Sequence, residues 1–209
     1  MQTSNSLQTR HDGARLLMVK KLILFLSIAC ASGLTMVTVY NTIIDSASWG
    51  SDIPSSIQTA RDYFQHVDPR RFYAVAGPVN QILILLTIIL FWKDEVVLRF
   101  CFAGSFLFYT AIIVMTLAYF IPRDLILFTS SIPDHLEQIK TASAEWSRMN
   151  WLRFSFGLAG VLLSFKGLDT YYRDERKGAN GVFRSKEREA KRDAEQHTWS
   201  GATAGAPPS

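Results

Sequence analysis

The sequence predicts an all-α membrane protein, a polytopic four-helix bundle of up-down-up-down order with a short amphipathic helix in its first outer loop. Three observations predict it. Four long apolar segments stand out of a chain that is 48% hydrophobic. Basic residues gather on one side of those segments. The link between the second and third segments is so short that they must be antiparallel neighbours. A hydrocarbon core of about 30 Å needs about 20 mostly apolar residues in a helix. Segments 22–43, 72–92, 97–121 and 150–166 meet or approach that length. The transmembrane domain is expected over 20–172, between a disordered N-terminus (1–19) and a basic, largely disordered cytoplasmic tail (173–209).

In the first segment, Lys20 and Lys21 precede an apolar stretch that is longer than a signal-peptide core. It lacks a small-x-small cleavage site before Tyr40, so the sequence reads as a retained helix. The loop that follows is not featureless. Pro54, Ser55 and Ser56 suit a helix start, and Ile57, Ala60 and Phe64 recur at helical spacing. A short amphipathic helix is therefore expected over 55–66, before "DPRRF" turns the chain into the second segment. "WKDEVVLR" makes the tight turn to the third, which Pro122 is expected to end. Asp134 can cap a helix running on into the fourth segment, which opens within 146–149. Beyond it, "KGANG" reads as a flexible link, "SKEREAKRDAEQ" as a mixed-charge helix former and "SGATAGAPPS" as a low-complexity end.

The net charge of +4 matters less than its placement. Four basic residues precede the first segment, Lys93 and Arg99 flank the tight turn, and nine follow the fourth from Lys166 to Arg192. The positive-inside rule then places both termini in the cytoplasm and the loops 44–71 and 122–149 outside. The same rule accounts for the basic tail without nucleic acid. Membrane lipids are the expected surroundings, and the sequence gives no oligomeric state.

The two cysteines, Cys30 and Cys101, lie in different apolar segments and form no CxxC pair, which speaks against thiol redox chemistry. All four histidines lie outside the segments, so a haem held by two membrane histidines is disfavoured. There is no His/Glu metal cluster, no Ser–His pair and no glycine-rich phosphate loop. No cofactor and no metal is expected.

Polar side chains at membrane depth are costly and usually face a bundle interior or a cavity. Here they fall in four clusters at one end of the bundle. Tyr40, Asn41 and Asp45 close the first segment, followed by Trp49. Asn80 and Gln81 sit near the entry of the second, and Tyr119, Arg123 and Asp124 end the third. Trp146, Asn150 and Arg153 open the fourth with spacings of four and three, hence on one helix face. Two readings stay open for these residues. In one, Arg153 pairs with Asp45 or Asp124, the amides tie helices together and the tryptophans anchor at the interface. In the other, the set builds an outward-facing pocket for a flat, lipophilic, weakly acidic molecule. A carboxylate, Asp45 or Asp124, takes a proton there while Arg153 and the amides steady the anion.

The stretches "VYNTIIDSASWG", "PVNQ", "YFIPRDLIL" and "EWSRMNWLRF" resemble the domain-of-unknown-function family that includes the fungal anthrone oxygenases. The resemblance covers about residues 20–172. Its most specific pieces are the Trp-x3-Asn-x2-Arg element, intact as Trp146, Asn150 and Arg153, and a Pro-x-Asn element after the third helix. The second departs from the family, since Asp124 stands where Asn is usual. The resemblance implies a four-helix membrane protein and, from the few members with an assigned activity, oxygenation of an anthrone to a quinone without metal or flavin. It implies catalytic roles for Asp45, Asp124 and Arg153. Tyr40, Asn41, Trp49, Asn80, Trp146 and Asn150 would contact the substrate. The alternative function is a non-catalytic membrane subunit or lipid-binding structural protein.

Overall fold

Helices account for nearly all of the structure, a computed structural model that describes residues 2–66 and 69–203. No strand occurs among the described residues. Helix α1 covers Gln2–Tyr40 and passes through a π-helical turn, Asn41–Asp45, into α2, Ser46–Gly50. α3, Ser55–Phe64, is the amphipathic helix expected between the first two segments. α4 covers Arg70–Leu90 and α5 Val96–Met115, the latter continuing through a second π-helical turn, Thr116–Phe120, into α6, Ile121–Thr129. α7 covers Ile132–Thr203, with a kink at His135 (φ −128°, ψ 25°). Three of these paths, 11–50, 70–90 and 96–129, are long and apolar enough to cross a membrane. The fourth predicted segment, 150–166, lies within α7.

Several expectations change. Pro122 does not end the third helix, because the path continues to Thr129. It sits in the first turn of α6, directly after the π-helical turn, where the bonding register changes and the path tolerates the missing N–H. The expected long loop after it shrinks to Ser130 and Ser131, with α7 starting at Ile132. Helix also covers most of both expected disordered stretches, from Gln2 and to Thr203, including the "KGANG" link. These stretches have no proline before residue 207, and isolated glycines cost a helix only about 1 kcal/mol each. Residue 1 and the end of the low-complexity tail, 204–209, lie outside the described residues, as do 67–68 in "DPRRF".

The chain divides into two units, 1–168 and 169–209. In the second, ion pairs one helical turn apart join Arg173 to Asp169 at 3.0 Å and Lys191 to Glu187 at 3.2 Å.

In the first unit, α1 packs on α4 and α4 on α5. Near the end of α1, Asn41 meets Tyr73 at the start of α4. At the other end of the pair Lys20 bonds Asp94 at 2.7 Å, just beyond α4. The two helices are therefore antiparallel. Helix α7 joins α1 through small polar residues. Thr35, Thr38, Thr42 and Ser46 form a buried stripe in which each hydroxyl donates to the carbonyl four residues back. With their donors satisfied locally, these side chains let α7 approach closely. Asn150, 0% exposed, donates to Thr42 Oγ1 at 2.6 Å. The Ser147 and Ser46 hydroxyls lie 3.3 Å apart.

α5 meets α7 over a comparable stripe, Gly157, Gly160, Ser164 and Gly167, the pattern of small residues that brings apolar helices together. Ser105 donates to the Gly160 carbonyl at 2.9 Å, and the Ser164 hydroxyl lies 3.0 Å from that of Ser105. A Cβ on Gly160 would lie 2.8 Å from Tyr109 Cζ, and one on Gly167 would lie 2.5 Å from Phe102 Cε1. Both rings are buried, so the two glycines are required by close approach.

At the α3 end, Ile57, Phe120, Leu127, Ile139, Ala142 and Trp146 form a buried apolar cluster. Arg61 ties α3 to α6 there. Its Nε and Nη2 donate to the Leu127 carbonyl at 2.8 and 2.6 Å, satisfying a carbonyl in the last turn of α6 that has no helical partner. Burial draws the Arg61 pKa below its ordinary value, though the group stays charged.

Candidate functional site

Within the first unit lies a cavity of about 690 Å³, within the range of small-molecule sites. It runs from Trp49, Phe64 and Phe128 at the α3 end down to Ala31, Tyr109 and Gly157. The rings at the α3 end interlock edge to face. Trp49 lies 5.3 Å from Phe128 and 5.1 Å from Trp146, and Phe120 lies 5.5 Å from Trp146.

The walls follow from helical spacing. On α4, Tyr73, Gly77, Asn80 and Gln81 recur at four, seven and eight residues, hence on one face. A Cβ on Gly77 would meet nothing within 4 Å, because the position borders open space. On α7, Trp146, Arg153 and Gly157 share a face at spacings of seven and four. The π turns supply Asn41 from α1 and Thr116, Leu117 and Phe120 from α5. π turns within α-helices recur at functional sites.

Arg153 is the centre of the site. It is 6% exposed, with its guanidinium carbon 4.8 Å from the Tyr73 ring and 5.0 Å from the Phe120 ring. It also interacts with the Tyr73 hydroxyl and with the charge of Asp124. Its Nε has no partner. Tyr73 in turn donates to Asn41 Oδ1 at 2.6 Å, with the Asn41 amide oriented so that Nδ2 donates to Asp45 Oδ2 at 2.9 Å and the Val37 carbonyl at 3.2 Å. On the other side Trp146 Nε1 donates to Asp124 Oδ1 at 2.9 Å. A polar chain thus runs from Asp45 through Asn41 and Tyr73 to Arg153, with the Asp124–Trp146 pair beyond it.

Of the predicted residues, Asn41, Trp49, Asn80, Asp124, Trp146 and Arg153 line the cavity. Three do not. Tyr40 is 57% exposed. Asp45 stands behind Asn41. Asn150 is consumed by the contact with α1. Sequence reasoning missed Tyr73, Phe120 and the full role of Gln81. The signal for Tyr73 was present, since it stands two helical turns before Asn80 on the face that Gly77 leaves open.

This arrangement can hold an anionic oxygen against Arg153 with aromatic rings on either side. Among the described residues, Asp124 is the carboxylate that reaches the cavity. Comparison with family models, curated proteins and solved structures returns no match for this chain.

Proposed function

We propose that this is a four-helix integral membrane protein, termini on the cytoplasmic side, whose cavity binds a flat, lipophilic, weakly acidic small molecule. Large apolar side chains such as Phe25, Leu85, Ile89, Phe100, Leu107 and Leu162 lie exposed around the apolar helices, a distribution that suits lipid and not water. The small-residue contacts of α7 with α1 and α5 support counting 150–166 as the fourth span. The sidedness of the basic residues supports the orientation. One observation carries the ligand class: a buried arginine, sandwiched by two rings, that lines an aromatic-walled cavity.

Mass spectrometry of small molecules retained by the purified protein tests it. An aromatic acid or phenol should accompany wild type and be lost from Arg153→Met. Phospholipid alone in both would overturn it.

The resemblance to the anthrone-oxygenase family sharpens the proposal into a reaction. Asp124 takes one proton from the anthrone methylene, and Arg153 holds the resulting enolate oxygen. The enolate gives one electron to O2, and the radical pair recombines to a peroxide on that carbon. Loss of the second C–H proton with O–O cleavage releases one water and leaves the quinone, which balances anthrone plus O2. Oxygen uptake with anthrone should vanish in Asp124→Asn and persist in Asp45→Asn, because Asp45 does not line the cavity. Equal rates in wild type and Asp124→Asn exclude the reaction and leave the binding site standing.

A second, non-catalytic reading draws on Asn150 and Asp45, whose polar atoms serve contacts within the protein. In that reading the site holds a lipid-like molecule and transforms nothing.

A further inference from the structure

The cavity reaches the outside of the protein along its flank. Gln81 Nε2 donates to Thr110 Oγ1 at 2.8 Å and ties α4 to α5. From that tie towards the α3 end, α4 offers Pro78 and Ala74, and the path of α5 offers Ile113, Leu117 and Ile121. Spacings of three and four keep these residues on the helix faces that carry the tie. All five line the cavity. Yet Ala74 and Pro78 are exposed, and Leu117 is 61% exposed. Side chains that line a cavity and also meet the surroundings stand at an opening. Among the described residues, α4 packs on α1 and α5, and no comparable packing joins it to the second π turn or to α6. The two paths are therefore joined at Gln81–Thr110 and part beyond it towards α3.

Both lips of this slit lie on irregular helix. Pro78 lacks the N–H that would meet the Ala74 carbonyl one turn earlier, and Leu117 stands in the second π turn. The flanks of the slit are apolar. Val75, Val79 and Val114 lie exposed beside it, and neither 72–90 nor 100–121 holds a charged residue. Such an opening gives onto hydrocarbon. The α3 end is shut by contrast. Trp49 lies 6.1 Å from Phe64 and 5.3 Å from Phe128, those two rings are 5.9 Å apart, and Arg61 holds α3 on α6. Exposed lining residues recur at the corner between α3 and α4, at Gln65, His66 and Arg71, where the surface is polar and charged.

We propose that the ligand is a bilayer-dissolved molecule that enters sideways, between α4 and the α5–α6 path, with Ala74 and Leu117 as the lips that set its access. The inference rests on the reading that the cavity takes a lipophilic, weakly acidic molecule. Such a molecule partitions into hydrocarbon, so a door onto lipid meets nearly all of it.

The probe is anthracene-9-carboxylate, added to the full chain in nanodiscs. Stopped-flow energy transfer from tryptophan reads its binding, since Trp49 and Trp146 line the cavity. Ala74→Phe should slow association and dissociation alike, each about tenfold, or about 1.4 kcal/mol at the entry barrier, with Kd unchanged. Leu117→Ala should speed both rates, and Gln65→Phe at the polar corner should alter neither. Ala74 is exposed, so a larger side chain there spares the fold, and the opposite sign for Leu117→Ala guards against a general defect. Unchanged rates in Ala74→Phe, or slowing in Gln65→Phe alone, overturn the lateral entry, while loss of the probe in Arg153→Met keeps the site standing. A wild type that binds no probe overturns both.

Discussion

Replacing Asn150 by leucine separates a packing residue from a ligand residue at the most specific motif of the sequence. Asn150 is fully buried, and its one strong bond is the donation to Thr42 Oγ1 at 2.6 Å. The second contact, to the Thr38 carbonyl, is long at 3.4 Å. Its Oδ1 has no partner. Leucine keeps the branched shape with two bulkier methyl groups, deletes one interhelical bond and removes an unsatisfied acceptor. Interhelical hydrogen bonds between apolar helices contribute about 0.6–2 kcal/mol, and losing the orphan oxygen offsets part of that. Thr42 is not stranded, because its hydroxyl already donates to the Thr38 carbonyl at 2.6 Å. The net loss for Asn150→Leu is therefore about 1 kcal/mol or less. Asn150→Ala leaves a void as well and should cost about 2–3 kcal/mol. Equilibrium unfolding in mixed micelles measures both, and a double-mutant cycle with Thr42→Val isolates the bond. Probe binding should be unchanged in Asn150→Leu. A tenfold loss of binding with stability intact would refute the reasoning and return Asn150 to the ligand.

Further expectations rest on other contacts. Gly160→Ala places a methyl against the buried Tyr109 ring and should destabilise by about 1–3 kcal/mol, while Gly33→Ala, which meets nothing within 4 Å, should be neutral or stabilising by up to about 1 kcal/mol. Thermal unfolding of the two variants side by side checks the sign. Arg61→Ala removes two charge-assisted bonds to the Leu127 carbonyl, about 1.5–3 kcal/mol together. It should raise amide exchange over α3, and Arg61→Lys should restore only part of the protection because lysine lacks the fork.

Much of the fold was legible because hydrocarbon imposes length and apolarity on a helix, and both can be counted. The helix at Ser55–Phe64 was legible from its start at Pro54-Ser55-Ser56 and from the spacing of Ile57, Ala60 and Phe64. The third helix path was misjudged at Pro122, because a proline reads as a stop until the π turn before it makes it the start of a new helical segment. In the site, Arg153 and Trp146 were found because burying a charge and an indole needs a reason. Asn150 was misplaced for a geometric one. At 100° per residue it sits about 40° round from Trp146 and about 60° from Arg153, at the edge of the stripe. Which neighbour an edge residue meets depends on the partner helix, and here the Thr42 hydroxyl of α1 takes it. Tyr73 was passed over because a tyrosine near a helix end is ordinarily an interfacial anchor.

The two π turns explain why the polar residues part into packing and pocket groups. A straight α1 would keep Thr35, Thr38 and Thr42 on one stripe and send Asn41 and Asp45 round the side. The i→i+5 turn at Asn41–Asp45 shifts that register after the Thr stripe has met α7. Ser46 then rejoins the stripe, opposite Ser147, while Asn41 points across to Tyr73. On α5 the turn at Thr116–Phe120 brings Phe120 against Arg153, and α6 then carries Asp124 to the Trp146 indole. Each turn thus lies part-way along the cavity wall, which Ala31 and Thr38 of α1 and Tyr109 and Ile112 of α5 begin, and adds Asn41 or Phe120 to it. Removing one residue from either turn should therefore restore a straight helix and close the site, with the helix packing below it left in place.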